Sequence, residues 1–118
     1  MIGVSLKTIT SISLAELSEM SAKIYGGLVK AVVDVNRKII VVDADMQSDE
    51  EACLLENGSA QNDLWGINLH PESYGTKGFV EFDSMINLRP TQNNRSRSVE
   101  DPETQAKIQA LITEAVHV

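Results

Sequence analysis

Arg89, Arg95 and Arg97 fall in one polar stretch of an otherwise acidic chain. The stretch runs from Pro90 through Thr91-Gln92-Asn93-Asn94-Arg95-Ser96-Arg97-Ser98 to Asp101-Pro102. Arginine offers a planar fork of donors that fits a carboxylate or a phosphate. Asn94 and Ser96 add donors beside it. Asp101-Pro102 opens a helix whose unpaired amides and positive dipole end also favour an anion. The expected chemistry is anion binding by Arg89, Asn94, Arg95 and Ser96, with Arg97 at hand and Asn68 and Glu81 as neighbours. The competing reading is a plain strand-to-helix connection. In it Asn and Ser satisfy the turn, and the arginines pair with Glu100 or Asp101. No spacing here matches a phosphate-loop motif.

Carboxylates form a second constellation. Glu81, Asp83, Asn87 and Arg89 alternate along one strand and so share a face. Asn68 can face the same way, and Asp43 and Asp45 join them if the two hairpins are neighbours. Such a cluster could hold a hard divalent cation, or supply a general acid and base for a metal-assisted hydrolase. The bland alternative is a solvated sheet face. His70 and His117 are too far apart in sequence for a recognisable metal spacing, and no cysteine completes one. His70 reads as a base or as an ordinary loop histidine, and His117 as a frayed end. Cys53 sits among Ala52, Leu54 and Leu55 and reads as a structural thiol. Ser84 lacks the glycine-flanked elbow of a nucleophile. Trp65 suits either the core or a pocket wall. No cofactor is implied.

Composition bounds these readings. The chain has 118 residues, 42% hydrophobic, which is enough for one domain and one core. Aromatics are only 4%, so that core must be aliphatic. A net charge of -7 argues against a surface devoted to nucleic acid, which needs clustered Lys and Arg. The single cysteine cannot form an internal disulfide, as suits a reducing compartment. No signal-peptide pattern opens the sequence, and no apolar run approaches the roughly 20 residues needed to cross a bilayer. A cytoplasmic protein with no membrane association is expected.

The elements that must position these residues follow from periodicity. Ser13 and Glu16 form a capping box ahead of a helix at 14–25, with Leu14, Leu17, Met20 and Ile24 as its buried stripe and Gly26-Gly27 as its stop. Residues 28–35 and 39–46 read as two strands of a hairpin around Asn36-Arg37-Lys38. Val29, Ala31, Val33 and Val35 share one face of the first. Ile40, Val42, Ala44 and Met46 share one face of the second. A short helix follows at 49–56, capped by Ser48 with Glu51 and stopped by Asn57-Gly58. Residues 64–69 form a third strand, in which Gly66 marks a bulge or a close approach. A fourth strand spans 79–88. Asp101 caps the last helix, 103–116, with Pro102 at its first turn.

The order α-β-β-α-β-β-α makes this an α+β domain: two layers, a mainly antiparallel four-stranded sheet, and three helices on one face. The other face would then expose Leu28, Val32, Ile39 and Val41, which a homodimer could cover.

Several segments together resemble a known family. They are Leu54-Leu55-Glu56-Asn57-Gly58-Ser59, Leu64-Trp65-Gly66-Ile67-Asn68-Leu69 with Pro71, Glu81 through Pro90, and Asn94-Arg95-Ser96 with Val99-Glu100-Asp101. The series, over about residues 13 to 114, resembles a family of small bacterial proteins known only as a domain of unknown function. The resemblance implies a single domain of bacterial, cytoplasmic origin and assigns no activity. The expected function is therefore a small soluble binding module for an anionic small molecule or an acidic partner segment. The metal-assisted hydrolase on Asp43, Asp45, Glu81 or Asp83 is one alternative. A homo-oligomeric interaction protein is the other.

Overall fold

Val and Ile dominate the segments that become the central sheet, and that sheet organises everything else. The structure, a computed structural model, describes residues 7–23 and 27–118. Its main elements are β1 (Lys7–Ile9), β2 (Ile12–Ser13), α1 (Leu14–Lys23), β3 (Val29–Asp34), β4 (Ile39–Val42), α2 (Gln47–Glu56), β5 (Leu64–Leu69), β6 (Val80–Glu81), α3 (Pro102–Ala115) and β7 (Val116–His117). Five strands form an antiparallel sheet in the order β1-β4-β3-β5-β6. β2 and β7 make a separate parallel pair that ties the two ends of the described chain together.

The α+β class and the three helices agree with the sequence, but the sheet has a fifth strand. β1 is only three residues and carries no pattern long enough to read. The layering also differs. Alternation along β3 sends Val29, Ala31 and Val33 to one face, where they meet Leu17 and Met20 of α1 and Ile108, Leu111 and Ile112 of α3. Val32 and Val41 point the other way. They are fully buried against Leu54 of α2, with Ile39, Cys53 and Ile86 packed around them. Helices therefore cover both faces. Of the stripe expected to be open for association, Val32, Ile39 and Val41 lie in this second core, closed by the chain's own α2, whereas Leu28 lies outside it.

The helix signals divide in the same way. Glu16 N donates to Ser13 Oγ at 3.1 Å, and Ser13 N donates back to Glu16 Oε1 at 3.4 Å, so the capping box of α1 is present. The expected end of that helix at Tyr25, with Ile24 and Gly26, lies outside the described residues. Asp101 caps α3 as expected, its carboxylate accepting from Thr104 N at 3.1 Å. Ser48 does not cap α2. That helix starts two residues earlier, with Met46 in the cap position and no side-chain hydrogen bond there. β4 stops at Val42 because Asp43 takes a left-handed φ of 71°, which ends the extended run. His117 is paired with Ser13 in β7 rather than frayed.

The largest departure is at 79–88. Only Val80–Glu81 is strand, and Met85–Asn87 is a single 3-10 turn. Ser84 Oγ accepts from Ile86 N at 3.3 Å and so caps that turn. Alternation predicts that Val80, Phe82, Ile86 and Leu88 face in together, but only Val80 is buried, Leu88 is exposed, and the chain between them is not extended.

Candidate functional site

Arg89 sits half-buried at the end of the polar stretch, stacked on the Trp65 ring at 4.3 Å. Its Nε donates to Ile86 O at 3.0 Å, Nη1 to Gln61 O at 2.8 Å and to Gln92 Oε1 at 3.2 Å, and Nη2 to Leu64 O. Burial lowers its pKa from the ordinary value, with Glu51 opposing that shift. The guanidinium is thus directed inward onto carbonyl oxygens, and it braces the loop instead of greeting a ligand.

Asn94 is buried and equally committed. Its Nδ2 donates to Asn87 O at 2.7 Å, Ser98 O at 2.7 Å and Ser96 O at 3.2 Å, while its Oδ1 accepts from Glu100 N at 2.9 Å. Ser96 Oγ accepts from Ser98 N at 3.2 Å and closes a local turn. Arg95 is exposed, and its backbone N–H donates to Glu100 Oε2. The hollow beside this loop, about 510 Å³, is lined by Trp65, Gln92 and Asn93 but also by Glu100 and Asp101. Two carboxylates there oppose an anion. The gathered anion site expected at Arg89, Asn94, Arg95 and Ser96 is therefore not assembled: the first two side chains are structural, and only Arg95 presents its head to solvent.

The other two expected residues, Asn68 and Glu81, do come together. Register pairs Lys30 of β3 with Asn68 of β5, and Asn68 with Glu81 of β6. The three lie in one row across adjacent strands and on one face. That row floors a cleft of about 430 Å³, walled by Met46, Gln47 and Ser48 at the start of α2 and by Ser84, Met85 and Ile86 opposite, with Asp83 and Arg97 at its mouth. Its volume is within the range of small-molecule sites.

The hydrogen bonds of the cleft are specific. Asn68 Nδ2 donates to Glu81 Oε1 at 3.1 Å and to Asp83 O at 3.2 Å. Its Oδ1 accepts from Gln47 Nε2 at 3.3 Å, and the same Gln47 nitrogen donates to Ile67 O at 2.7 Å. His70 Nε2 contacts Glu81 Oε1 at 3.0 Å. These partners, His70 first and Asn68 next, hold the Glu81 carboxyl below its ordinary pKa. Asp83 Oδ1 is 2.7 Å from Arg97 Nε. Lys30 Nζ donates to the Asp45 carbonyl oxygen at 3.1 Å, which uses one of its three donors; its charge reaches the buried Glu50, but among the described residues no carboxylate forms an ion pair with it. Beside it the uncapped first turn of α2 adds its positive dipole end. Met46 and Met85, 57% and 63% exposed, flank the opening. Exposed thioethers are adaptable apolar contacts.

Sequence reasoning reached Asn68, Glu81 and Asp83 through alternation. It missed Lys30, Gln47 and Met46, because only the cross-strand register and the true start of α2 bring them in. The carboxylates offered for a metal are dispersed. Among the described residues no three His, Cys, Asp or Glu side chains stand close enough to hold a metal ion. Ser84 is buried, with its hydroxyl turned to Ile86 N. Trp65 is a core residue at 5% exposure. Another groove, of about 520 Å³, runs between the β3–β4 turn and α3 past Lys38, Asp63, Lys107 and Glu114. Its charges of both signs are mostly on exposed side chains, and no buried polar group is aimed into it.

Among the described residues no helix is long and apolar enough to cross a membrane. Neither a curated protein nor a solved structure matches the chain. A family model does, over residues 7–115, and this likeness agrees with the cluster of motifs around Trp65-Gly66 and Asn87-Leu88-Arg89: the chain belongs to the DUF5674 family, described as proteins of unknown function.

Proposed function

We propose that this protein is a binding module for a small molecule carrying an anionic group, seated in the cleft over Lys30, Asn68 and Glu81. The observation that carries this reading is the Lys30–Asn68–Glu81 row, held in register beneath the uncapped start of α2. Lysine and a helix N-terminus on the same side of a cleft supply a point charge and backbone donors to one anionic group. The Asn68 side chain is fixed by three hydrogen bonds, so the floor is organised before a ligand arrives.

Two-dimensional amide NMR with acetate and with inorganic phosphate tests it. The signals of residues 30, 47, 48 and 68 should move saturably, and Lys30→Met should weaken the effect about tenfold, the scale of one charge-assisted hydrogen bond. Shifts confined to residues 94–97 would return the site to the arginine loop and overturn this reading.

A further inference from the structure

We infer that the ligand of this cleft is a small zwitterion of amino-acid type, its carboxylate beside Lys30 and the first turn of α2, its ammonium facing Glu81, and its apolar side chain against Met46 and Met85. The inference rests on the cleft reading above and goes one step further, to the charge of the ligand's second end.

The charges lining the cleft do not close on one another. Lys30 and Glu81 stand two strands apart on one face, so their backbones are about 10 Å from each other. Both side chains could lean across the gap, yet they do not pair. Lys30 turns to a carbonyl oxygen of Asp45, and Glu81 turns to His70 and Asn68. Asn68 keeps them apart, because its amide group donates toward Glu81 and its oxygen is taken by Gln47. A cleft is thus left with a cation at one end, an anion at the other and a neutral amide between.

A ligand with a negative group only would lie close to Glu81 and Asp83. One with a positive group only would meet Lys30 and the positive end of α2. Asp83 Oδ1 is matched by Arg97, and Glu81 takes both His70 and Asn68 on Oε1, so its Oε2 is the oxygen turned to a second contact. A dipolar ligand satisfies both ends at once and leaves no like charges facing. Leu28, Met46, Met85 and Ile86 supply the apolar wall that a side chain would need.

The experiment compares L-leucine with its two singly charged relatives, 4-methylpentanoate and 3-methylbutylamine, by calorimetry and amide NMR on the full chain. L-leucine should bind about tenfold tighter than either, each lost end costing roughly one charge-assisted hydrogen bond. Glu81→Gln should remove its advantage over the acid, and Lys30→Met its advantage over the amine. Far-UV circular dichroism confirms that both variants are folded, as substitution of half-exposed side chains should allow. If 4-methylpentanoate binds as tightly as L-leucine, the zwitterion inference is overturned while the anion-binding cleft stands. If neither of these nor phosphate moves the signals of residues 30, 47, 48, 68 and 81, both fall together.

Discussion

The carboxamide of Asn87 pairs in both directions with the backbone of Gly66: Gly66 N donates to Asn87 Oδ1 at 2.9 Å, and Asn87 Nδ2 donates to Gly66 O at 2.9 Å. Along β5 the backbone groups alternate between β3 and the opposite side. Gly66 lies opposite Val32, and its polar groups point away from β3. Two residues back, Leu64 O accepts from Arg89. Asn87 and Arg89 are also two residues apart, so two side chains continue, as side chains, the ladder that β6 begins at Asn68.

Replacing Asn87 by Ala should therefore cost more than an ordinary buried polar residue. Asn87 Nδ2 also donates to Arg97 O at 3.0 Å, which keeps Ser84 N as a second donor, so truncation strands the two polar groups of Gly66. At about 1–3 kcal/mol for each buried group left unpaired, a loss of about 2 kcal/mol or more is expected. Urea unfolding followed by circular dichroism reads it. A loss below about 1 kcal/mol would mean that water replaces the amide freely.

Gly66 has no tolerance for a side chain. A Cβ there would sit 2.5 Å from Ser84 Oγ and 2.6 Å from Ser84 Cβ. Gly66→Ala should destabilise by about 1–3 kcal/mol through overpacking. Combined with Ser84→Gly, the double variant should be more stable than the sum of the two single effects by at least about 0.5 kcal/mol. Simple additivity would show that the clash is relieved elsewhere.

Arg89 and lysine are not equivalent at this position. Lysine keeps the charge but loses the fork that spans Ile86, Gln61 and Leu64, and the flat stack on Trp65. Arg89→Lys should cost about 1–3 kcal/mol in a denaturant titration and leave affinity in the cleft unchanged. Reduced phosphate binding in a folded Arg89→Lys protein would place Arg89 in the ligand site after all.

Glu50 sets a pH dependence. It is fully buried, Oε2 accepts from Ala44 N at 3.3 Å, and Oε1 has no hydrogen-bond partner among the described residues. Burial pushes its pKa from the ordinary 4.5 to about 9. The folded chain thus keeps a proton that the unfolded chain releases as pH rises through that window, so stability is greatest below 4.5 and declines toward 9. In Glu50→Gln the decline between pH 5 and pH 8 should shrink by about 3 kcal/mol. Equal slopes in the two proteins would show that Glu50 is ionised in place.

What the sequence revealed was local. The capping residues Ser13 and Asp101 and the Val/Ile runs of β3 and β4 act within a few residues of themselves, and the hairpin between those strands formed as read. What it hid was long-range. The alternation over 79–88 looks like a strand because Asn87 and Arg89 do face the sheet, but through side chains and across a 3-10 turn. The arginine loop looked like a ligand site for the same reason. Arg and Asn are the residues that best saturate carbonyl oxygens, whether those belong to a ligand or to the chain itself. Lys30 escaped notice because its meaning depends on a partner 38 positions away.

The amide plug at Gly66 also decides how this protein meets its own copies. An outer strand with free N–H and C=O groups is a template on which another chain can grow toward a fibril. Here β6 is only two residues long, yet no such template is left along Leu64 and Gly66, because Arg89 and Asn87 occupy it. Two side chains thus do the protective work of a missing strand, and losing Asn87 would expose a sticky seam as well as loosen the fold.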